Sequence, residues 1–418
     1  MRRRRAQHMR RSHVRPFVAA LLVVSVVIAV VAAGTIRALA EPIPAATFQT
    51  VGSLPSRVLG APAAIPWPAA GEAAMVTTSG VSFGTSGPVQ EVPIASLTKV
   101  MTAYVVLHDH PLTQGQAGPT VTVSAAEAAT LPARVAQGQS LVPVTAGEQL
   151  SELQALQALL VPSADNIADV LASFDAGSEA AFVAKMNATA AELGMSHTHY
   201  ADASGLDPAG VSTAADQLVL ARKALALAVF AHVVAEPSVT LPVAGTVANY
   251  NTLVGHDGFT GIKTGSTSAA GGCLLFSVTR PVSGEKITVI GDVLGQRGGP
   301  LIPMAIQRAR SMADAAFAAF GRRTVVPAGT TVLDVTQAGR HAVAVTASDL
   351  STIDPAGTPI TLTLGPVHLG AGPVATLGLH APGPAPAAGD SPPGSTTSVR
   401  LARPMPRPSL GWRVAHFF

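Results

Sequence analysis

Between Ala73 and Phe320 the apolar pattern changes period more than once, and that change limits the fold more than any single residue does. Ala73 to Phe83 reads as short strand-like runs broken at Ser79-Gly80. From Ser96 the pattern turns helical. Leucines at 150, 153, 156, 159 and 160 form the apolar stripe of an amphipathic helix over about 147–160, which Pro162 ends. Ser163 opens another helix to about Phe174, Ser178 to Gly194 is closed by glycine, and Ser212-Thr213 caps a helix to about Ala228. From Val239 onward the runs are strand-like. Ile262 to Gly265, Leu274 to Thr279 and Ile287 to Leu294 read as neighbours, the last two as a hairpin, before a final helix over 303–320. Strands at both ends with helices between them predict an α+β domain: an antiparallel sheet packed against a helical cluster. Apolar residues are 48% of the chain but aromatics only 4%, so its core must be aliphatic.

The flanks divide the rest. Residues 1–40 read as a signal or membrane anchor, 41–70 as a Pro/Ala-rich linker, and 71–322 as the α+β domain. Residues 323–381 read as a small all-β domain, and 382–418 as a disordered Pro/Gly-rich tail ending in a few aromatics and an arginine. Seven arginines in the first fifteen residues precede Phe17 to Gly34, a run apolar except for Ser25. Positive charge before an apolar stretch directs export to the cell envelope. Small residues in Ala38-Leu39-Ala40 offer a cleavage site before Glu41, so the leader is either an anchor or is removed near Ala40. Eight of the 27 basic residues lie in residues 1–40, which hold no acidic residue; the remaining 19 face 24 acidic ones, a balance of −5. The basic pI is therefore a property of the leader, and no nucleic-acid surface is expected.

Lone Cys273 opens an apolar run and reads as a core thiol. His108-Asp109-His110 and His197-Thr198-His199 place histidines two apart, which diverge on a helix, so they read as surface residues and no metal is expected. Nothing suggests a phosphate loop, nucleotide site or other cofactor.

Three short patterns carry chemistry. In Ser96-Leu97-Thr98-Lys99 the i, i+3 spacing brings an amine to a hydroxyl on one helix face, and the apolar sequence after Lys99 offers the burial that lowers a lysine's pKa and leaves the amine free to take the hydroxyl proton. Spacing alone does not single it out, because Ser283-Gly284-Glu285-Lys286 repeats it in a predicted hairpin turn. Lys263-Thr264-Gly265 lies on a strand, with a cation, a hydroxyl and a bare strand edge suited to a carboxylate and an extended peptide. Only five lysines occur in the chain, so Lys-Thr-Gly is an uncommon coincidence. Ser163-Ala164-Asp165-Asn166 stands at a helix start, where such residues are also ordinary caps.

Taken in order, Ser-x-x-Lys, Ser-x-Asp/Asn and Lys-Thr-Gly on helix, loop and strand resemble the motif set of the penicillin-binding and serine β-lactamase superfamily. Within it, Ala95 to Ala103, Gly147-Glu148-Gln149-Leu150, Ser204-Gly205-Leu206, Ser212-Thr213-Ala214 with Asp216, and Gly261 to Gly265 resemble the low-molecular-mass D-alanyl-D-alanine carboxypeptidases over about residues 70–320. The resemblance implies a β-lactamase/transpeptidase-like fold and a serine hydrolase that removes the terminal D-alanine from peptidoglycan pentapeptides. It implies Ser96 as nucleophile, Lys99 as base and Ser163 as proton relay. It implies Lys263, Thr264 and Gly265 as the carboxylate seat, and the N–H groups of Ser96 and Ser266 as the oxyanion hole. β-Lactam antibiotics would be covalent inhibitors, and the N-terminal segment would meet the membrane.

The second motif departs from the family pattern, which has Asn two residues after the serine, where this chain has Asp165 with Asn166 next. A carboxylate beside Lys99 favours its ammonium form and weakens it as a base. Either Asn166 takes the role and binds substrate, or activity is reduced. Two other readings stand beside the carboxypeptidase: a β-lactamase, although no Glu-x-x-Leu-Asn stretch supplies its deacylating base, and a catalytically weak or inactive wall-binding homologue.

Overall fold

The computed structural model describes residues 5–52, 57–58, 60–370, 372–381 and 395–417. Helix α1 (Arg5–Ala40) contains Phe17–Ala40, 24 residues long and apolar enough to cross a membrane, about 36 Å at the helical rise. Strands β1 (Thr47–Thr50) and β2 (Arg57–Val58) precede the hairpin β3 (Glu72–Thr77) and β4 (Ser82–Ser86). Then come α2 (Thr98–Asp109), α3 (Ala125–Ala136), α4 (Glu152–Leu160), α5 (Asp165–Ala176), α6 (Glu179–Glu192), α7 (Ala214–Leu225) and α8 (Ala228–Val234). Strands β5 (Phe259–Thr267), β6 (Gly271–Val282) and β7 (Glu285–Gln296) follow, and α9 (Leu301–Ala319) closes the domain.

The central sheet runs β5-β6-β7-β3-β4, antiparallel throughout, so the first and last strands of the domain meet at its middle. Its two faces serve two cores. Leu274, Phe276 and Val278 pack on Ala305, Ala309, Met312, Ala313 and Ala316 of α9, whose small residues let helix and sheet approach closely. Cys273 and Leu275 face the other way, into the aliphatic helical cluster. Burial there pushes the Cys273 thiol up to about 12, the property of an inert core group.

Helix starts are set by side-chain caps. Ser151 and Gln154 form a reciprocal capping box at α4, Ser178 caps α6, and Thr213 caps α7. Helix α4 therefore begins at Glu152, later than the leucine spacing suggested, because 149–151 is held as a short strand. Glu152 itself is fully buried, with neither carboxyl oxygen bonded among the described residues. Loss of solvent, reinforced by the charge of Asp175, raises it to about 7. The unfolded chain releases this proton near the ordinary carboxylate value of 4.5, so the folded protein loses stability as pH climbs from there through 7. Glu152→Gln removes that dependence. Thermal unfolding should show the variant melting several degrees above the parent at pH 8 and level with it at pH 4; equal melting at pH 8 would refute the buried-acid reading.

A second unit holds β8 (Phe320–Val326), β9 (Thr331–Gln337), β10 (Arg340–Thr346), β11 (Leu350–Pro355), β12 (Pro359–Leu364), β13 (Ala375–His380) and β14 (Thr396–Leu401). Its seven-stranded sheet runs β1-β9-β10-β14-β13-β12-β2, so both edge strands come from the segment expected to be a linker. Thr47-Phe48-Gln49-Thr50 alternates, and Phe48 packs on the apolar core of this sheet. The expected disordered tail is corrected likewise. Residues 382–394 lie outside the described ones, but Val399 of β14 is fully buried and Leu410–Phe417 forms helix α10. Composition over 382–408 averages away the short Thr397/Val399 alternation.

Candidate active site

Chain geometry converges on Ser96 from three sides. Ser96 lies in a one-turn 3-10 helix, Ala95–Leu97, rather than capping α2 with its hydroxyl. Ala95 holds φ at 48° and Ser163 at 64°, left-handed values that cost non-glycine residues free energy and mark sites where geometry is imposed. Lys99, in the first turn of α2, is completely buried and makes three hydrogen bonds through Nζ. It donates to Ser96 Oγ at 2.9 Å, to Asp165 Oδ1 at 2.6 Å and to the Ser204 carbonyl at 2.7 Å. Three acceptors saturate an ammonium; a neutral amine donating to Asp165 and Ser204 would aim its lone pair at Ser96.

The structure places Asp165, not Asn166, beside Lys99. Asp165 heads α5 and accepts from the Ser140 backbone N–H at 3.0 Å on its other oxygen. Asn166 points away, its amide clasping Val142 by donating to the carbonyl at 2.9 Å and accepting from the N–H at 3.2 Å. The expectation that Asn166 binds substrate is therefore corrected. Ala164 is the N-cap residue and Ser163 precedes it, so consecutive side chains in the first helical turn diverge by about 100° and only Asp165 faces the site.

Lys263 and Thr264 sit on β5, an edge strand of the sheet whose free side adjoins the Ala95–Leu97 turn. Lys263 is 1% exposed and donates to the Thr264 carbonyl at 3.1 Å. Burial first, then the charge of Lys99, hold it well below the usual lysine range, and Asp165 opposes both. Gly265 lets this strand touch the Ser96 turn, because a Cβ there would lie 3.0 Å from the Ile94 carbonyl and 3.1 Å from the Ser96 nitrogen. Ser266 follows at the partly exposed end of the strand.

The sequence pattern singled out Ser204-Gly205-Leu206 but not Asp202, the support behind that loop. Asp202 folds the Ser204 loop by accepting from Ser204 Oγ and from the N–H groups of Gly205, Leu206 and Asp207. Gly205, at φ 87°, brings that loop against the Ala95 carbonyl, which a Cβ would meet at 1.9 Å. Gly205→Ala should cost about 3 kcal/mol or more from clash and strain, and slow acylation of Ser96 by displacing the Ser204 carbonyl from Lys99. Denaturant unfolding and a penicillin-labelling time course measure the two effects; an unperturbed variant would show the close approach to be unimportant. Ser283 and Lys286 lie in and after the β6–β7 turn, with no part in the cluster. His110 instead pairs with Asp175 at 3.2 Å, and among the described residues no group of three or more His, Cys, Asp or Glu is arranged for a metal.

Residues 69–297, more than half of the chain, match the D-alanyl-D-alanine carboxypeptidase family. The chain belongs to that family. It is 35% identical over 220 residues to a D-alanyl-D-alanine carboxypeptidase of Mycobacterium tuberculosis, spanning 50% of this chain and 69% of the relative. A carboxypeptidase of the same name from a Streptomyces species is 31% identical over 268 residues, or 60% and 88%. Among solved structures, a Streptomyces DD-transpeptidase superposes with a TM-score of 0.53 at 27% identity, covering 61% of this chain and all of that one. As a carboxypeptidase family member, the protein has the α+β fold expected from its strand-helix-strand pattern, of the transpeptidase-like kind that the motif resemblance implied.

Proposed function

We propose that this protein is a serine D-Ala-D-Ala carboxypeptidase of the cell envelope, working through an acyl-enzyme on Ser96. The observation that carries the assignment of the nucleophile is the fully buried Lys99 Nζ, 2.9 Å from Ser96 Oγ. In this reading Lys99 works as a free amine, donating to Asp165 and the Ser204 carbonyl with its lone pair on Ser96 Oγ. Ser96 Oγ gives its proton to Lys99 and attacks the carbonyl joining the two terminal D-alanines. The N–H groups of Ser96 and Ser266 stabilise the oxyanion. Ser163 relays a proton to the departing amine, and one D-alanine leaves. Water then attacks the ester and gives a proton to Lys99, which passes it to Ser96 Oγ as the shortened peptide leaves. Lys263 and Thr264 hold the substrate carboxylate until the terminal D-alanine leaves, and Gly265 keeps the strand edge open to the peptide. β-Lactams follow the first half of this path and stay on Ser96.

A second reading is favoured by one observation, the 2.6 Å ion pair: Asp165 keeps Lys99 charged and the protein acylates slowly, serving mainly to bind wall peptides. One experiment separates the two. The exported protein is incubated with a labelled penicillin, the adduct is mapped, and D-Ala release from a D-Ala-D-Ala peptide is followed, with Ser96→Ala as control. An adduct on Ser96 together with D-Ala release is expected. An adduct mapped to any other residue sinks the nucleophile, and an adduct without D-Ala release selects the binding role. Rapid turnover of the penicillin would point to a β-lactamase.

A further inference from the structure

The two ends of the described chain meet. Helix α1 continues unbroken through Ala38-Leu39-Ala40, where Glu41 N–H still donates to the Arg37 carbonyl at 3.0 Å. Ala38 is completely buried and its neighbours one turn back, Gly34 and Thr35, are half-buried, whereas the rest of Phe17–Ala40 is exposed. The three form one small-residue face, and α10 is the element packed against α1. From α10, the Arg413 guanidinium donates to the carbonyls of Leu39 at 2.9 Å and Ala38 at 3.3 Å. A cation on the unpaired carbonyls of a helix end satisfies their hydrogen bonding and the helix dipole together. On its other side, α10 lays the Trp412 indole over Gly339 in the β9–β10 turn. Gln337, at the start of that turn, donates to the Pro44 carbonyl at 3.0 Å, three residues before β1 begins. Ala38 to Thr50 is thus gripped at its helix end by α10 and at its strand end by β9.

We propose that α10 clasps the outer end of α1, shields Ala38-Leu39-Ala40 from leader removal, and keeps this protein anchored through its N-terminal helix. A peptidase reads its substrate as an extended strand. Cleavage after Ala40 therefore requires the last turn of α1 to unwind, the Arg413 bonds to break and Ala38 to leave its contact with α10. Only six residues, 41–46, separate the helix from β1, so the site has little slack with which to reach an active centre.

The test uses the full chain expressed in an exporting bacterial host, a chain ending at Ser409, and the variants Arg413→Glu and Arg413→Lys. Intact mass and N-terminal sequence of the detergent-extracted and soluble proteins are compared, readouts that do not involve the active site. The full chain and Arg413→Lys are expected to keep residues 1–40 and stay in the membrane. The shortened chain and Arg413→Glu should lose those 40 residues and appear in the soluble fraction, while their catalytic domains still melt at the parental temperature. A full chain beginning at Glu41 overturns the proposal, and so does equal retention of the shortened chain.

Discussion

Lys99→Met is expected to slow acylation of Ser96 about 10³-fold or more, the range for loss of a general base. It should also lower the unfolding free energy by about 3–5 kcal/mol, because a carboxylate is left buried without its partner. Lys99 is fully buried and Asp165 is 2% exposed, so water cannot replace the lost ammonium. The two effects separate in the double variant Lys99→Met with Asp165→Leu. With both charges gone, the desolvation cost of Asp165 disappears and most of the stability should return, whereas acylation should not. Denaturant unfolding and penicillin labelling form the double-mutant cycle. If the double variant regained activity, Lys99 would not be the base.

Asp165→Asn is expected to accelerate acylation, by about tenfold, which corresponds to ~1.4 kcal/mol of barrier. An amide can accept from Lys99 and donate to a substrate carbonyl, and it does not hold the lysine as an ammonium through a full ion pair. The exchange also reaches the carboxylate seat. Asp165 is the charge that favours the protonated form of Lys263, against burial and Lys99. Only the protonated form attracts a carboxylate, so peptide capture weakens as pH rises and Lys263 deprotonates. Without Asp165 that loss begins at lower pH. The measurement is KM for a D-Ala-D-Ala peptide against pH in both proteins, beside the acylation rate. Identical acylation rates would mean that the ion pair does not limit Lys99, and identical KM profiles would mean that Lys263 is insulated from Asp165.

What could be read from the sequence follows from where the physical signal is local. The leucine stripe of α4 and the continuous apolar run of β6 each declare their element within a dozen residues, and the α+β arrangement follows. Ser96 and Lys99, which the structure brings together, could be picked out as candidates because motif order set aside the decoy at Ser283. Asp165 and Asn166 were not separable: Ser163, Asp165 and Asn166 all have cap chemistry, and the choice depends on Ser140 and Val142, some 25 residues upstream, which hold the two side chains in opposite directions. Helix α3 was passed over for a related reason. It buries no residue, so it has no complete apolar stripe to read. Strands β1, β2 and β14 carry two to six residues each, and what makes them strands is their partners rather than their own composition.

Those partners also set an order of assembly. Thr47 bonds to Thr336, 289 positions later, so the edge of the second sheet cannot form until most of the chain has been made. The catalytic domain contains the pairings that close its own sheet, and it can fold first. Such widely separated contacts form slowly, because the loop must close before any contact repays it. Residues 47–50 therefore find their partners only after the residues of β9 have been made. Completion of the second sheet then acts as a report that the chain has been made as far as residue 401.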